Sequence, residues 1–530
     1  MRKSYIILNI LIFVTSFISS KLFADQANHG DEFCTRCNQC NDNNFFTSRT
    51  FMMTRPVSHN IRAEQSLWHD FLYSKRDKGG SFQIITFYQQ SINDQRYAKY
   101  FTLEGKSLMR VFGDDNHDAW QRDIRAEWIG LPANFRGSFS LNPEQMQFAT
   151  SLVYNQDLKS FVKYDFLKRF WLEFSFPFVV VENSLNLCQC DIFNESPSYP
   201  RDIKQALNNC CWLYGRIGGK KSCFGCAPVT VKLGGAFMDD GNDQIVSYCS
   251  LVIPTGKQDD DRFLFEPLPD YNGHWGLSSG VNFQFALNRE NSDKIDFCFF
   301  LNFEALFLVE AYHRRTFDLK SVVSGCNTAT CGASTAAHCA PCDYKRKQWS
   351  RYLMFNAKGG APDQNVPGVD ILTKNVKVRP YGIFDFSCGF KLIKLNKFEL
   401  ELGYGIWGHG SEKIECVKNF DQEWGIAGIK QPGDTFARSA SLSTIAQQIA
   451  TDVENDPTDP VFIPICITHL DLDSGAAQGS LNHIIDLAGG LEHVGEAVDV
   501  FFGAGVYYEW PQKNSSLENL GAWLKLGGSF

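Results

Sequence analysis

The chain closes on Gly521-Ala-Trp-Leu-Lys-Leu-Gly-Gly-Ser-Phe530. Successive side chains of an extended strand point to opposite faces. Ala522, Leu524, Leu526, Gly528 and Phe530 therefore share one side, and Trp523, Lys525, Gly527 and Ser529 share the other. The first side is apolar and ends on an aromatic carboxyl terminus. The second carries a lysine and a serine, so the two faces of this strand meet different surroundings.

Working back from it, the same alternation recurs near 81–90, 145–154, 170–182, 228–238, 244–253, 275–287, 294–309, 376–391, 397–408, 481–492, 497–510 and 520–530. It is clearest where Ile295, Phe297, Phe299, Leu301, Phe303, Ala305 and Phe307 alternate with Asp296, Cys298, Phe300, Asn302, Glu304 and Leu306. A soluble sandwich would also alternate, with one face on its partner sheet. The connections separate the two cases. Short ones (NQDLKS, MDDGND, NRENSD, LNK, HVGEA) take turns with long ones at about 91–144, 183–227, 254–274, 310–375, 409–480 and 511–519. Tight periplasmic turns and long outer loops produce this parity in a membrane barrel, whereas Greek-key sandwiches have no reason to keep it. The expectation is an all-β chain: a transmembrane antiparallel up-and-down β-barrel of about twelve strands, within a range of about ten to fourteen. Strands 81–90 and 244–253 lack a clean polar side, and Pro177 inside FWLEFSFPFVVV predicts a bulge or boundary, because proline cannot donate to the ladder.

Residues 1–24 read as a secretory signal peptide: Arg2 and Lys3, an apolar run from Tyr5 to Ile18, and a cleavage position after Ala24. Residues 25–80 form an N-terminal extension that holds Cys34, Cys37 and Cys40; Leu67, Trp68, Phe71 and Leu72 recur there at helical spacing. This extension either plugs the barrel or packs on the periplasmic turns. Residues 81–530 are the barrel. Net charge is −8 with pI about 5.8, and no basic stripe is visible, which excludes nucleic acid as a partner.

Ending on Phe530 after an alternating strand resembles the closing strand of bacterial outer-membrane β-barrels. The resemblance implies residence in the bacterial outer membrane, lipid around the wall, and recognition of Phe530 as an assembly signal by the barrel-assembly machinery. It also implies porin-like passage of small solutes, with oligomers left open. Val252-Ile-Pro-Thr-Gly-Lys257 similarly resembles outer-membrane transporters of aromatic or fatty compounds.

Glu173, Lys232, Asp296, Glu304, Asp385, Lys391, Glu399, Glu401, Asp486, Asp499 and Glu509 fall on the side opposite the lipid face. Against lipid such charges would cost roughly 2–4 kcal/mol near the midplane, so they are expected to line the interior. Nine are acidic and two basic, which favours cations or solutes of low negative charge. The alternative is a closed barrel in which unassigned arginines and lysines neutralise them.

Cys188, Cys190, Cys210, Cys211, Cys223 and Cys226 fall in one long connection and Cys326, Cys331, Cys339 and Cys342 in another. Export favours disulfide staples; zinc is the alternative for CFGC at 223–226 and for HCAPC beside His338. Gly276-Leu-Ser-Ser-Gly280 matches a hydrolase pattern that needs a strand–turn–helix setting, and none is predicted. His274, His313 and His409 fall near outer strand ends without an evident partner. Helices are expected after Asp118 (Trp120, Ile124, Trp128) and from Ser443 (Leu442, Ile445, Ile449, Val453). No catalytic residue, metal or cofactor is assigned. A structural or adhesive surface barrel is the second functional reading, and a barrel-rim enzyme the third.

Overall fold

A computed structural model of the chain describes residues 47–65, 79–159, 170–195, 200–240, 243–288, 295–320, 347–394, 398–415, 417–440, 442–449, 462–493 and 495–530. Twelve long strands form one antiparallel sheet: β1 (Gly80–Ile92), β2 (Glu144–Asp157), β3 (Phe170–Ser184), β4 (Val229–Asp240), β5 (Asp243–Ile253), β6 (Gly276–Ala286), β7 (Asp296–Leu308), β8 (Ile383–Lys394), β9 (Phe398–His409), β10 (Ser480–His493), β11 (Asp499–Pro511) and β12 (Glu518–Ser529). Each pairs with its sequence neighbour, and β12 returns to β1 in the register Phe87↔Trp523 and Ser81↔Ser529, so the sheet is a closed barrel. Phe530 completes the seam: its N–H donates to the Gly80 carbonyl, and its own carbonyl accepts from Gly79 and Gly80.

Burial divides the strands as the terminal stretch predicts. Leu520, Leu524, Leu526 and Phe530 are exposed on the outside, while Trp523, Lys525 and Ser529 are buried within. Phe82, Ile84, Phe178, Leu277, Phe390, Leu402, Leu487 and Phe502 continue the outer apolar band around the barrel. A closed ladder leaves no backbone group unpaired against hydrocarbon, so a wall with this outer face is built to span a bilayer. Among the described residues no helix is long and apolar enough to cross a membrane. The chain is an integral outer-membrane β-barrel.

Of the bulge or boundary expected at Pro177, the structure has the boundary: there is no bulge against β2, where Ser151↔Pro177 lies in an unbroken register. Its missing N–H falls on the other side, where the partner strand is itself interrupted: β3 pairs with Lys221–Cys226 and then with β4, and Ala227 N–H donates to the Pro177 carbonyl at the break. The stretch after Asp118 is no single helix but two short 3-10 turns, Ala119–Gln121 and Ala126–Ile129, around the two-residue strand Ile124–Arg125. Residues 442–449 contain no helix, because Ser443 folds back on its own segment through Ile449 N–H to Ser443 Oγ at 2.9 Å. The predicted strand 376–391 divides into Thr373–Arg379, which pairs within the loops, and β8.

The long connections fold together on the outer side around a second apolar core that includes Phe101, Trp128, Phe139, Leu207, Trp212, Phe317, Trp349, Phe355 and Leu372. The barrel interior has its own core, in which Phe51, Met53, Val57 and Ala63 of the N-terminal extension pack on Ile85, Phe87, Trp171, Tyr248, Trp407, Tyr507 and Trp523 of the wall.

Candidate functional site

The N-terminal extension runs through the barrel. Ser48 Oγ donates to the Phe101 carbonyl and Thr50 Oγ1 to the Thr316 carbonyl, both in outer connections. From there the segment descends to the single-turn helix Ile61–Gln65. This explains the face of β1 that lacks polar character: Ile85 and Phe87 point inward because they meet protein rather than water.

Nine of the eleven charged positions expected to face inward are buried: Glu173, Lys232, Glu304, Asp385, Lys391, Glu401, Asp486, Asp499 and Glu509. Asp296 and Glu399, near the turn end of the barrel, are half-buried. Asp499, the first residue of β11, accepts from Gly495 N–H in the preceding turn at 3.1 Å and contacts Ser529 Oγ at 3.5 Å. Most of the others are met by the threaded segment. Arg55 Nη2 lies 2.8 Å from Glu509 Oε2. Arg62 lies 3.4 Å from Asp385 and 3.3 Å from Asp486. His59 Nε2 lies 3.4 Å from Glu304, while Tyr271 Oη contacts His59 Nδ1 at 2.7 Å. Lys232 bridges Glu64 of the segment and Glu173 of the wall, the latter at 3.0 Å. Lys391 and Glu401 pair on adjacent strands at 3.3 Å. Lys525 Nζ donates to the Glu64 carbonyl at 3.0 Å.

The alternation marked these positions on the strands, but it did not reveal their partners. Arg55, His59, Arg62 and Glu64 sit in a segment without strand periodicity, so no pattern aims them at the wall. Their clustering within ten residues was the one available signal. Lys525 lies opposite the outward leucines and belongs to the inner face on the same argument as the others.

Arg55, Asn60, Arg62, Ile484, Asp486, Tyr507 and Trp523 line a cavity of about 10 Å³, close to the minimum for one water. Counted without the segment, the buried mid-wall charges are Glu173, Glu304, Asp385, Glu401, Asp486 and Glu509 against Lys232, Lys391 and Lys525, an excess of three carboxylates.

At the outer mouth, His274 and His313 face each other with Nε2 atoms 3.1 Å apart, and His274 Nδ1 lies 2.7 Å from the Val309 carbonyl. Burial lowers both imidazole pKa values, that of His313 to about 2, with the nearby Arg315 charge adding to the shift. The pair is therefore neutral, and His274 donates from Nδ1. In the connection 254–275, Asp259, Asp260 and Glu266 bring carboxylate oxygens within 4.8 Å of one another. Burial first, and repulsion by Asp261 second, raise Asp259 to about 7; burial and Asp259 raise Glu266 to about 7.

Cys188, Cys190, Cys210, Cys211, Cys223 and Cys226 are free thiols here. Cys223 and Cys226 lie on the extended strand Lys221–Cys226, where residues three apart point to opposite faces, so CFGC is not a metal-binding turn. Cys326, Cys331, His338, Cys339 and Cys342 lie outside the described residues, as do Cys34, Cys37, Cys40 and the helical pattern at 67–72.

No protein-family model and no curated protein matches the chain. Among solved structures, an outer-membrane channel from Pseudomonas putida F1 aligns over 86% of this chain and 98% of its own, at 10% identity and a TM-score of 0.37. The translocator domain of the autotransporter NalP from Neisseria meningitidis covers 90% and 99% at 8% identity and a TM-score of 0.28. A FadL homologue from Pseudomonas aeruginosa covers 91% and 96% at 7% identity and a TM-score of 0.25. At such scores the likeness says nothing about solute or activity.

Proposed function

We propose that the chain is an outer-membrane channel for small solutes, held shut in this conformation by its own N-terminal segment. The observation that carries this reading is the chemistry of the inner wall. Burying nine ionisable wall residues incurs a desolvation cost that an apolar interior of the same volume would avoid. Such a wall suits a lumen that is wet at some stage. The segment that now fills it between Arg55 and Glu64 is tied to the wall through side chains, with no backbone ladder, and can leave without breaking the barrel. With it gone, the excess of carboxylates favours cations and solutes of low negative charge.

Planar-bilayer recording tests this. The native protein should conduct rarely; a variant lacking residues 25–78, so that no segment crosses the lumen, should conduct steadily and reverse toward cations under a KCl gradient. A deleted barrel that migrates as folded on unboiled gels yet passes no current overturns the proposal, as does an anion-selective one. A second reading, a surface barrel that cross-links partners, is favoured by the exposed thiols of Cys188, Cys190, Cys210 and Cys211. Disulfide-linked multimers on non-reducing gels would support it.

A further inference from the structure

The direction in which the segment crosses the lumen carries a consequence for the part of the chain before it. Its upper end is built into the outer connections. Arg49 N–H donates to the Tyr100 carbonyl and Thr50 N–H to the Ser474 carbonyl. Ser48 Oγ accepts from Arg351 Nη2 at 3.1 Å, and Tyr100 Oη donates to the Phe51 carbonyl at 2.7 Å. The Arg315 guanidinium lies 3.6 Å from the centre of the Phe51 ring. Residues 100, 316, 351 and 474 all belong to long connections.

Further along, the partners lie progressively lower on the wall. Arg55 meets Glu509, two residues before the outer end of β11. Arg62 meets Asp486, midway along β10. The Glu64 carbonyl is met by Lys525, four residues before the turn-side end of β12. The chain is next described at Gly79, whose N–H donates to the Phe530 carbonyl and whose carbonyl accepts from Asp157 N–H, at the end carrying the short turns.

We infer that the polypeptide threads its own barrel from the outer face inward, so that everything preceding Thr47 emerges outside the membrane. This replaces the arrangement in which the extension packs on periplasmic turns. The part of the chain before Thr47 carries Cys34, Cys37 and Cys40 in CTRCNQC. To reach the outer side this arm must cross the lumen during assembly, so the barrel exports its own N-terminal residues. The inference rests on the membrane placement of the barrel and is independent of whether the lumen ever conducts.

The test is sidedness in intact cells. An epitope inserted between Asp31 and Glu32 should bind antibody on unpermeabilised cells, as should a control epitope at Gly219 in an outer connection. A control at Gly241, in a short turn, should bind only after the outer membrane is opened. Should the Asp31 insertion impair folding, the untagged chain gives the same answer: protease added outside intact cells should cut between residues 25 and 46, read by N-terminal sequencing of the barrel fragment. An arm that is reached only after permeabilisation, while the Gly219 epitope is accessible throughout, overturns the inference and leaves the channel proposal standing. Conversely, an accessible arm on a barrel that never conducts supports the inference and removes the channel.

Discussion

Arg62 is the residue on which the closed lumen most depends. It stands between Asp385 and Asp486, and all three are buried. Removing one partner of such a group strands the others as uncompensated buried charges, a cost of roughly 3–5 kcal/mol. Arg62→Met should therefore destabilise the folded barrel by about that much, read as a lower denaturation midpoint in detergent or as more frequent channel opening. Adding Asp486→Asn should recover part of the loss. Gly280 is decisive for a different reason: a Cβ there would lie 2.2 Å from Tyr248 Cζ, inside the space of the ring whose hydroxyl donates to Glu304. Gly280→Ala should displace Tyr248, and the near-ultraviolet circular dichroism of the aromatic interior should weaken. Sequence periodicity gives a strand its two faces, but it could not show these contacts, because they join positions on different elements, for Arg62 hundreds of residues apart.

Among the elements, the connection 254–275 carries the clearest pH dependence. Asp259 and Glu266 are raised to about 7 and Asp261 to about 6, chiefly by burial. An unfolded carboxyl titrates near 4. For an acid whose folded pKa is the higher, the folded state binds more protons across the interval, so stability falls as pH rises from about 4 to about 7. Amide protection factors in residues 254–275, taken relative to the intrinsic exchange rate at each pH, should thus be higher at pH 5 than at pH 8, and Asp259→Asn should flatten the difference. Most of the twelve strands were readable from alternation, because one face lies in apolar surroundings and the other against a charged interior; the strands at 81–90 and 244–253 lacked a clean polar side, and the predicted strand 376–391 merged a loop strand with β8. The helix expected after Asp118 did not form, nor did the described part, 442–449, of the one expected from Ser443, whose Val453 lies outside the described residues. Their apolar spacing serves the outer core, where Ile124, Trp128 and Ile445 are buried from irregular backbone. Periodicity over three or four residues cannot separate a helix from a loop folded onto a core.

At the scale of the whole molecule, closure depends on the last residue. Phe530 exchanges backbone hydrogen bonds with Gly79 and Gly80 and keeps its ring on the lipid side. Its deletion should leave the first and last strands unsealed at the turn end and lower the fraction of heat-modifiable, folded barrel in the outer membrane several-fold; an undiminished folded band would refute this role. The sequence by itself determined the class of fold, the strand positions, the alternation of short and long connections, and the charged inner face, because all of these are set by contacts local to a strand and by the solvent on either side of it. Only the tertiary structure decided that the interior is occupied, which arginines neutralise which carboxylates, and that the loops share a core of their own. Those outcomes depend on a non-periodic segment meeting a wall assembled from distant strands, and no local pattern encodes the distance at which two charges meet.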